Sequence, residues 1–312
     1  MIGFAFVFPG QGSQAVGMLD AWGDHRAVRD TLSEGSQALG LDLAALIREG
    51  PKDQLDLTTN TQPAMLAAGV ACYRAWRAEG GAEPSVVAGH SLGEYSALVA
   101  AGALTLAYAL PLVRFRAQAM QEAVPVGTGA MAAILGLDAQ AVRGGCLEAA
   151  AASGEVCEAV NFNDPKQTVI AGTKAGVDKG CEVLKARGAK RALLLSVSAP
   201  FHSSLMKPAA DRLVGRLAET AFAAPLIPVV NNIDVAVQTE PAAIRDALYR
   251  QAFGPVRWVE TIHAMRARGV THIVECGPGK VLAGLVKRID ADALSGAVFD
   301  PASLADVRGM LA

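Results

Sequence analysis

The sequence is poor in cysteine, in aromatic residues and in net charge. Its five cysteines, Cys72, Cys146, Cys157, Cys181 and Cys276, are odd in number, scattered over 312 residues and never arranged as CxxC. That spacing argues against a disulfide framework and against a zinc cage, so no metal is expected and a reducing, cytoplasmic setting is. Aromatic residues make up 5% of the chain, and no stretch alternates them with Lys or Arg. A formal net charge of -2 also leaves no long-range positive field for a phosphate backbone, which argues against nucleic acid as a partner.

Long uncharged runs are few as well. Ile2 to Phe8 is apolar but has no cationic lead-in and stops at Pro9-Gly10, too short for a signal core, and reads as a buried strand. Tyr95 to Val113 carries no charge and has the length of a membrane span. It is rich in weakly apolar Ala, is interrupted at Ala101-Gly102 and Pro111, and has Glu94 at its head, so two consecutive buried helices are predicted instead.

What the chain does have is 52% hydrophobic residues against 19% charged, enough for a large core in one domain or two. Ile2 to Phe8, Ser85 to Ala88, Leu226 to Val230 and His272 to Val274 are predicted strands. Helical spacing of apolar residues over Ala27 to Arg48 and Pro63 to Glu79 separates the first two. Strand alternating with helix predicts an α/β body with a parallel sheet covered on both faces.

After Pro125-Val126-Gly127-Thr128-Gly129 the pattern changes. The predicted order is strand (Ala130 to Leu135), helix (Asp138 to Ala151), strand (Cys157 to Asn161), strand (Thr168 to Gly172), helix (Lys174 to Arg187) and strand (Arg191 to Leu195). This βαββαβ order is that of a ferredoxin-like unit. The expectation is therefore a discontinuous α/β-hydrolase-like body, residues 1–126 and 197–312, with residues 127–196 inserted. A substrate cleft is expected between the two.

Gly89-His90-Ser91-Leu92-Gly93 follows the apolar run Val86 to Ala88 and opens the helical stretch Glu94 to Ala100. This is G-x-S-x-G at a strand-to-helix turn, where glycines permit a sharp bend that lifts the serine hydroxyl above the sheet. Free N–H groups at the helix start can then face an oxyanion. The plain alternative is an ordinary turn with a serine cap.

A serine hydroxyl attacks poorly without a base. Of the five histidines, His90 is next to Ser91 but points elsewhere on such a turn and is read as structural; His25, His263 and His272 sit in places where surface or satisfied histidines are common. His202 differs, lying in the turn Ser198 to Ser204 where the insert hands back to the large body.

At this point the chain resembles the malonyl-CoA:acyl carrier protein transacylases over nearly its whole length. The matching blocks are Phe8 to Gln14, Thr61-Gln62-Pro63-Ala64, Gly89 to Tyr95, Met120-Gln121, Gly129 to Ala132, Phe201-His202, Met206 to Ala209, Val230-Asn231-Asn232, Arg250-Gln251, Pro255-Val256 and Glu275 to Lys280. The resemblance implies that Ser91 is the acylated nucleophile and His202 its base, with the imidazole held by a backbone carbonyl near Gln251 instead of a carboxylate. It implies an oxyanion hole from the backbone N–H groups of Gln11 and Leu92. Gly10 to Ala15 also fits a loose dinucleotide-binding G-x-G-x-x-A, but no strand ending in an acidic residue follows at the needed distance.

The resemblance further implies that Arg116 grips the free malonyl carboxylate, for which a guanidinium fork is suited. Arg114 is close by, and composition alone does not choose between them. Gln62 and Gln251 match pocket positions, and the bulky Phe201 favours malonyl over methylmalonyl. The implied reaction is ping-pong: malonyl passes from malonyl-CoA to Ser91 and then to the phosphopantetheine thiol of acyl carrier protein, supplying extension units for fatty acid synthesis, with no cofactor. The rivals are a serine thioesterase or esterase and a non-catalytic acyl- or dinucleotide-binding protein. Carrier proteins are acidic, so Lys190, Arg191, Lys287 and Arg288 are candidate docking residues.

Overall fold

The computed structural model describes residues 3–197 and 199–312; Ile2 of the first predicted strand and Ser198 of the predicted turn lie outside them. The described strands are β1 (Phe4–Phe8), β2 (Val86–Gly89), β3 (Gly129–Leu135), β4 (Cys157–Asp164), β5 (Gln167–Thr173), β6 (Arg191–Leu194), β7 (Val229–Val230), β8 (His272–Cys276) and β9 (Leu294–Val298). They form an α/β structure with two sheets. One is five-stranded and wholly parallel, in the order β7-β2-β1-β8-β9; the other is four-stranded and antiparallel, in the order β4-β5-β3-β6.

β1 shows why the parallel sheet is central. All five of its residues are buried, and the period of two sends Phe4, Phe6 and Phe8 to one face and Ala5 and Val7 to the other. The phenylalanines meet Tyr73 and Trp76 of helix Thr58–Ala78, with Phe6 and Trp76 edge to face at 5.4 Å. A side chain of that size contributes about 1.5–3 kcal/mol on full burial. The opposite face packs on helices Trp258–Ala267 and Val281–Ile289.

Between Gly129 and Leu194 the observed order is strand, helix (Ala139–Ser153), strand, strand, helix (Lys174–Ala186), strand, as the sequence predicts. The uncharged stretch after Glu94 is two helices, Gly93–Ala100 and Leu106–Gln121, and no helix among the described residues is long and apolar enough to cross a membrane.

Two predictions need correction, and two elements were not foreseen. The pattern over Ala27 to Arg48 is two helices, Arg26–Leu39 and Leu43–Glu49, broken at Gly40 with φ +62 and restarted by the side chain of Asp42, which accepts from Ala45 N–H at 2.9 Å. The strand placed at Leu226 to Val230 is reduced to Val229–Val230, because Leu226 N–H is engaged with Ala101 O and Pro228 has none to give. β9 and the helix Pro301–Met310 were not foreseen; Leu294 is exposed and Gly296 interrupts the apolar run, which hides the strand.

Candidate active site

The carboxyl ends of parallel strands are where α/β proteins place their sites, and Gln11 follows β1 while Ser91 follows β2. Between β2 and the helix that starts at Gly93, the backbone turns so tightly that side chains are excluded. A Cβ on Gly89 would lie 1.8 Å from the carbonyl carbon of Gly93, and one on Gly93 would lie 2.0 Å from Phe8 O. Ser91, at the apex, has φ +53, a left-handed conformation that costs a non-glycine residue energy and persists only where its surroundings hold it.

Asn232, just past β7, supplies that support. Its Oδ1 accepts from Ser91 N–H at 2.7 Å and its Nδ2 donates to Gly89 O at 2.7 Å. From the other side Gln251 Nε2 donates to Ser91 O at 3.1 Å.

His202 also has a left-handed backbone, φ +65, and it delivers its ring to the serine. Ser91 Oγ and His202 Nε2 are 2.7 Å apart. Nδ1 faces two carbonyl oxygens, Gln251 O at 3.0 Å and Gly254 O at 3.1 Å. Carbonyl oxygens only accept, so Nδ1 carries the proton and Nε2 turns its lone pair on the hydroxyl. Burial, and after it the Arg116 guanidinium, depress the imidazole pKa from its ordinary 6.5 to about 3 against the opposing pull of the two carbonyls.

Arg116 lies in the core at 2% exposure. Its partners are Gln62 Oε1 at 2.7 Å, Gln251 Oε1 at 3.1 Å and Ser91 Oγ at 3.4 Å, with no carboxylate among them. Tyr95 lies under the guanidinium, 5.6 Å from carbon to ring centre, and Arg116 Nε is buried without a partner. Arg114, the neighbour that composition could not exclude, instead donates to Leu39 O on an exposed surface. Only Arg116 reaches the serine.

Ser91, His202, Arg116 and Gln62 line one cavity of about 120 Å³ with Gln11, Leu92, Met131, Asn161, Leu195, Val197 and Phe201. The backbone N–H groups of Gln11 and Leu92 have no acceptor among the described residues. Gly10 brings the Gln11 loop against the turn, a Cβ there being 2.6 Å from His90 O. No cluster of three or more His, Cys, Asp or Glu side chains able to hold a metal occurs among the described residues.

His90 also lines the cavity but makes no hydrogen bond to the serine hydroxyl; its Nε2 meets Asn163 Oδ1 at 2.8 Å and its ring lies edge to face with Trp258. It ties the β2 turn to β4. Arg288 makes a similar tie, donating to Asp164 Oδ2 at 2.7 Å; Lys190, Arg191 and Lys287 are exposed. Sequence reasoning missed Asn232, Asn161, Asn163 and the role of Glu94. A charged residue heading an Ala-rich buried helix, and Asn231-Asn232 ending a strand, were the available signals.

The geometry can be set beside known proteins. The acyl transferase domain model matches residues 5–298. A curated relative, malonyl CoA-acyl carrier protein transacylase of Escherichia coli (strain K12), is 54% identical over 306 residues, 98% of each chain. The crystal structure of acyl-carrier-protein S-malonyltransferase from Burkholderia pseudomallei 1710b superposes with a TM-score of 0.96 at 66% identity, covering 98% of this chain and 99% of that one. A solved complex of a holo type II PKS acyl-carrier protein with its malonyl-transacylase matches at TM-score 0.95 and 51% identity, over 97% and 98% of the two chains. Agreement of this extent, with a serine, an imidazole and a buried guanidinium meeting in one cavity, has a single reading at the level of family: the chain belongs to the malonyl-CoA:acyl carrier protein transacylases, within the acyltransferases.

Proposed function

We propose that this chain moves a malonyl group from malonyl-CoA to the phosphopantetheine thiol of acyl carrier protein through an ester on Ser91, supplying extension units for fatty acid synthesis. The observation that carries this reading is Arg116, a buried cation 3.4 Å from the Ser91 hydroxyl with no carboxylate on it. A malonyl carboxylate supplies the directly bonded anion that Arg116 lacks, and the guanidinium fork receives it with paired hydrogen bonds while Gln62 and Gln251 steady the fork. An acetyl group gives it nothing. Phe201 lines the same cavity.

Chemistry follows from the tautomer. Ser91 Oγ attacks the thioester carbonyl carbon as its proton passes to His202 Nε2. The oxyanion is received by the N–H groups of Gln11 and Leu92. The carbon–sulfur bond breaks, the imidazolium returns its proton to the leaving CoA sulfur, and the malonyl ester remains on Ser91. The carrier thiol then attacks this ester by the same steps in reverse. Exchange of one acyl bond for another is redox-neutral and calls for no cofactor.

Residues 1–126 and 197–312 form the α/β-hydrolase-like body in this reading, and 127–196 a ferredoxin-like insert that roofs the cavity with Met131 and Asn161. The insert's own apolar cluster, from Ala132 to Leu184, supports that division. Five unpaired thiols fit a cytoplasmic setting. The acidic carrier docks on Lys190, Arg191 and Lys287, with Arg288 lending charge while held by Asp164; a related transacylase has been solved with its carrier.

A thioesterase shares the first half-reaction, so the deciding experiment compares acceptors. With malonyl-CoA and holo carrier protein, malonyl should appear on the carrier much faster than free malonate appears. Faster release of malonate, or transfer that survives Ser91→Ala, contradicts the proposal.

A further inference from the structure

We infer that Glu94 is a positioning residue for this site, setting both the bend that presents Ser91 and the orientation of the glutamine that aims Arg116; the inference rests on the transacylase reading above. Glu94 is 2% exposed at the start of the helix behind the serine. One oxygen, Oε2, accepts from Asn232 N–H at 2.8 Å and from Gln251 Nε2 at 2.9 Å. Those are the two residues that brace Ser91, Asn232 at its N–H and Gln251 at its carbonyl oxygen. The strained apex is therefore held by two side-chain amides whose residues, Asn232 through its backbone N–H and Gln251 through Nε2, meet on one carboxylate oxygen.

The second consequence concerns direction. A glutamine amide has one accepting end and one donating end. Ser91 O can only accept and Glu94 Oε2 already accepts from Asn232 N–H, so Gln251 presents Nε2 to both and Oε1 to Arg116, where it accepts at 3.1 Å. Without Glu94 one of the two acceptors that fix this orientation is gone, and a reversed amide would place N–H groups against the guanidinium and turn it from the malonyl carboxylate. Burial raises the pKa of this carboxyl to about 7, while the Gln251 and Asn232 hydrogen bonds and the Arg116 charge favour the ionised form and the Asp234 charge opposes it.

The test uses Glu94→Ala and Glu94→Gln, each checked for folding by thermal melting. Ser91 acylation is followed by rapid-quench mass spectrometry with malonyl-CoA and, separately, acetyl-CoA. Loss of positioning should slow malonyl acylation by about 100-fold in Glu94→Ala. Glu94→Gln keeps an accepting oxygen but weakens both hydrogen bonds, and should slow it by about tenfold. Acetyl acylation, which makes no use of Arg116, should fall less, so the malonyl-to-acetyl ratio drops in both variants. Equal losses on the two substrates, or wild-type rates, would overturn the inference. Should Glu94→Ala fail to fold, Glu94→Gln alone decides by the same ratio. Wild-type protein in the same assay separates the two claims: if it forms no malonyl-Ser91, the transacylase reading fails, whereas a normal wild type beside an unchanged ratio in the variants removes only Glu94's role.

Discussion

His202 Nδ1 lies 3.0 Å from the carbonyl oxygen of Gln251, where serine hydrolases commonly present a carboxylate. A carbonyl fixes the tautomer as well as an acid does, but it adds no full negative charge to steady the imidazolium. The base is therefore weak and stays unprotonated. Gly254 O shares the same N–H, so loss of either backbone contact would leave the ring partly held.

The first prediction follows from that pKa. With the folded value near 3 and the ordinary value 6.5, an unfolded chain takes up a proton on this residue over that interval and the folded one does not. The stabilising contribution is thus complete above pH 6.5 and is lost as pH falls towards 3. Ser91 acylation, measured as single turnover in Glu94→Gln so that no carboxylate with a pKa of about 7 titrates behind the serine, should show no acid limb around pH 6.5; a limb there would mean that the imidazole titrates normally.

Arg116→Ala removes the fork. Each of the fork's two hydrogen bonds to a charged group contributes about 1.5–3 kcal/mol, so malonyl acylation should fall at least about 100-fold while acetyl acylation changes little. A panel of acyl-CoA substrates checks this, and a retained malonyl preference would contradict it. Arg114→Ala is expected to behave as wild type.

Gly93→Ala tests the turn. The added methyl would sit 2.0 Å from Phe8 O, a backbone atom that cannot swing aside. Destabilisation of about 3 kcal/mol is expected from overpacking at such a site. Urea denaturation reads it directly, and an unchanged midpoint would show that the bend is looser than described.

Charge reversal at Lys190 and Arg191 should raise the apparent KM for carrier protein and leave acylation by malonyl-CoA alone unchanged. An unchanged KM would move the docking face elsewhere, with Lys287→Glu the next variant to measure.

Much of this arrangement could be seen in the sequence because it depends on local pattern. Gly89 to Gly93 after an apolar strand announces the turn, and the six elements between Gly129 and Leu194 come out in order because each has a clear period. Contacts between residues far apart in the chain are another matter. Asn232 meets Ser91 across 141 positions and Gln251 meets Glu94 across 157, and no local period encodes either. The break at Gly40 escaped because apolar spacing continues through it, and β9 because an exposed Leu294 and a central glycine blur a short edge strand. Arg116 could be told from Arg114 only by resemblance; in the structure one is buried beside Ser91 and the other reaches an exposed carbonyl.

The central claim is a covalent one, and rapid mixing with malonyl-CoA followed by acid quench and peptide mass mapping tests it most directly. The account predicts a single malonyl adduct on Ser91, formed within the first turnover and lost when holo carrier protein is added. An adduct on any other residue, or none at the shortest times while product still accumulates, would contradict it.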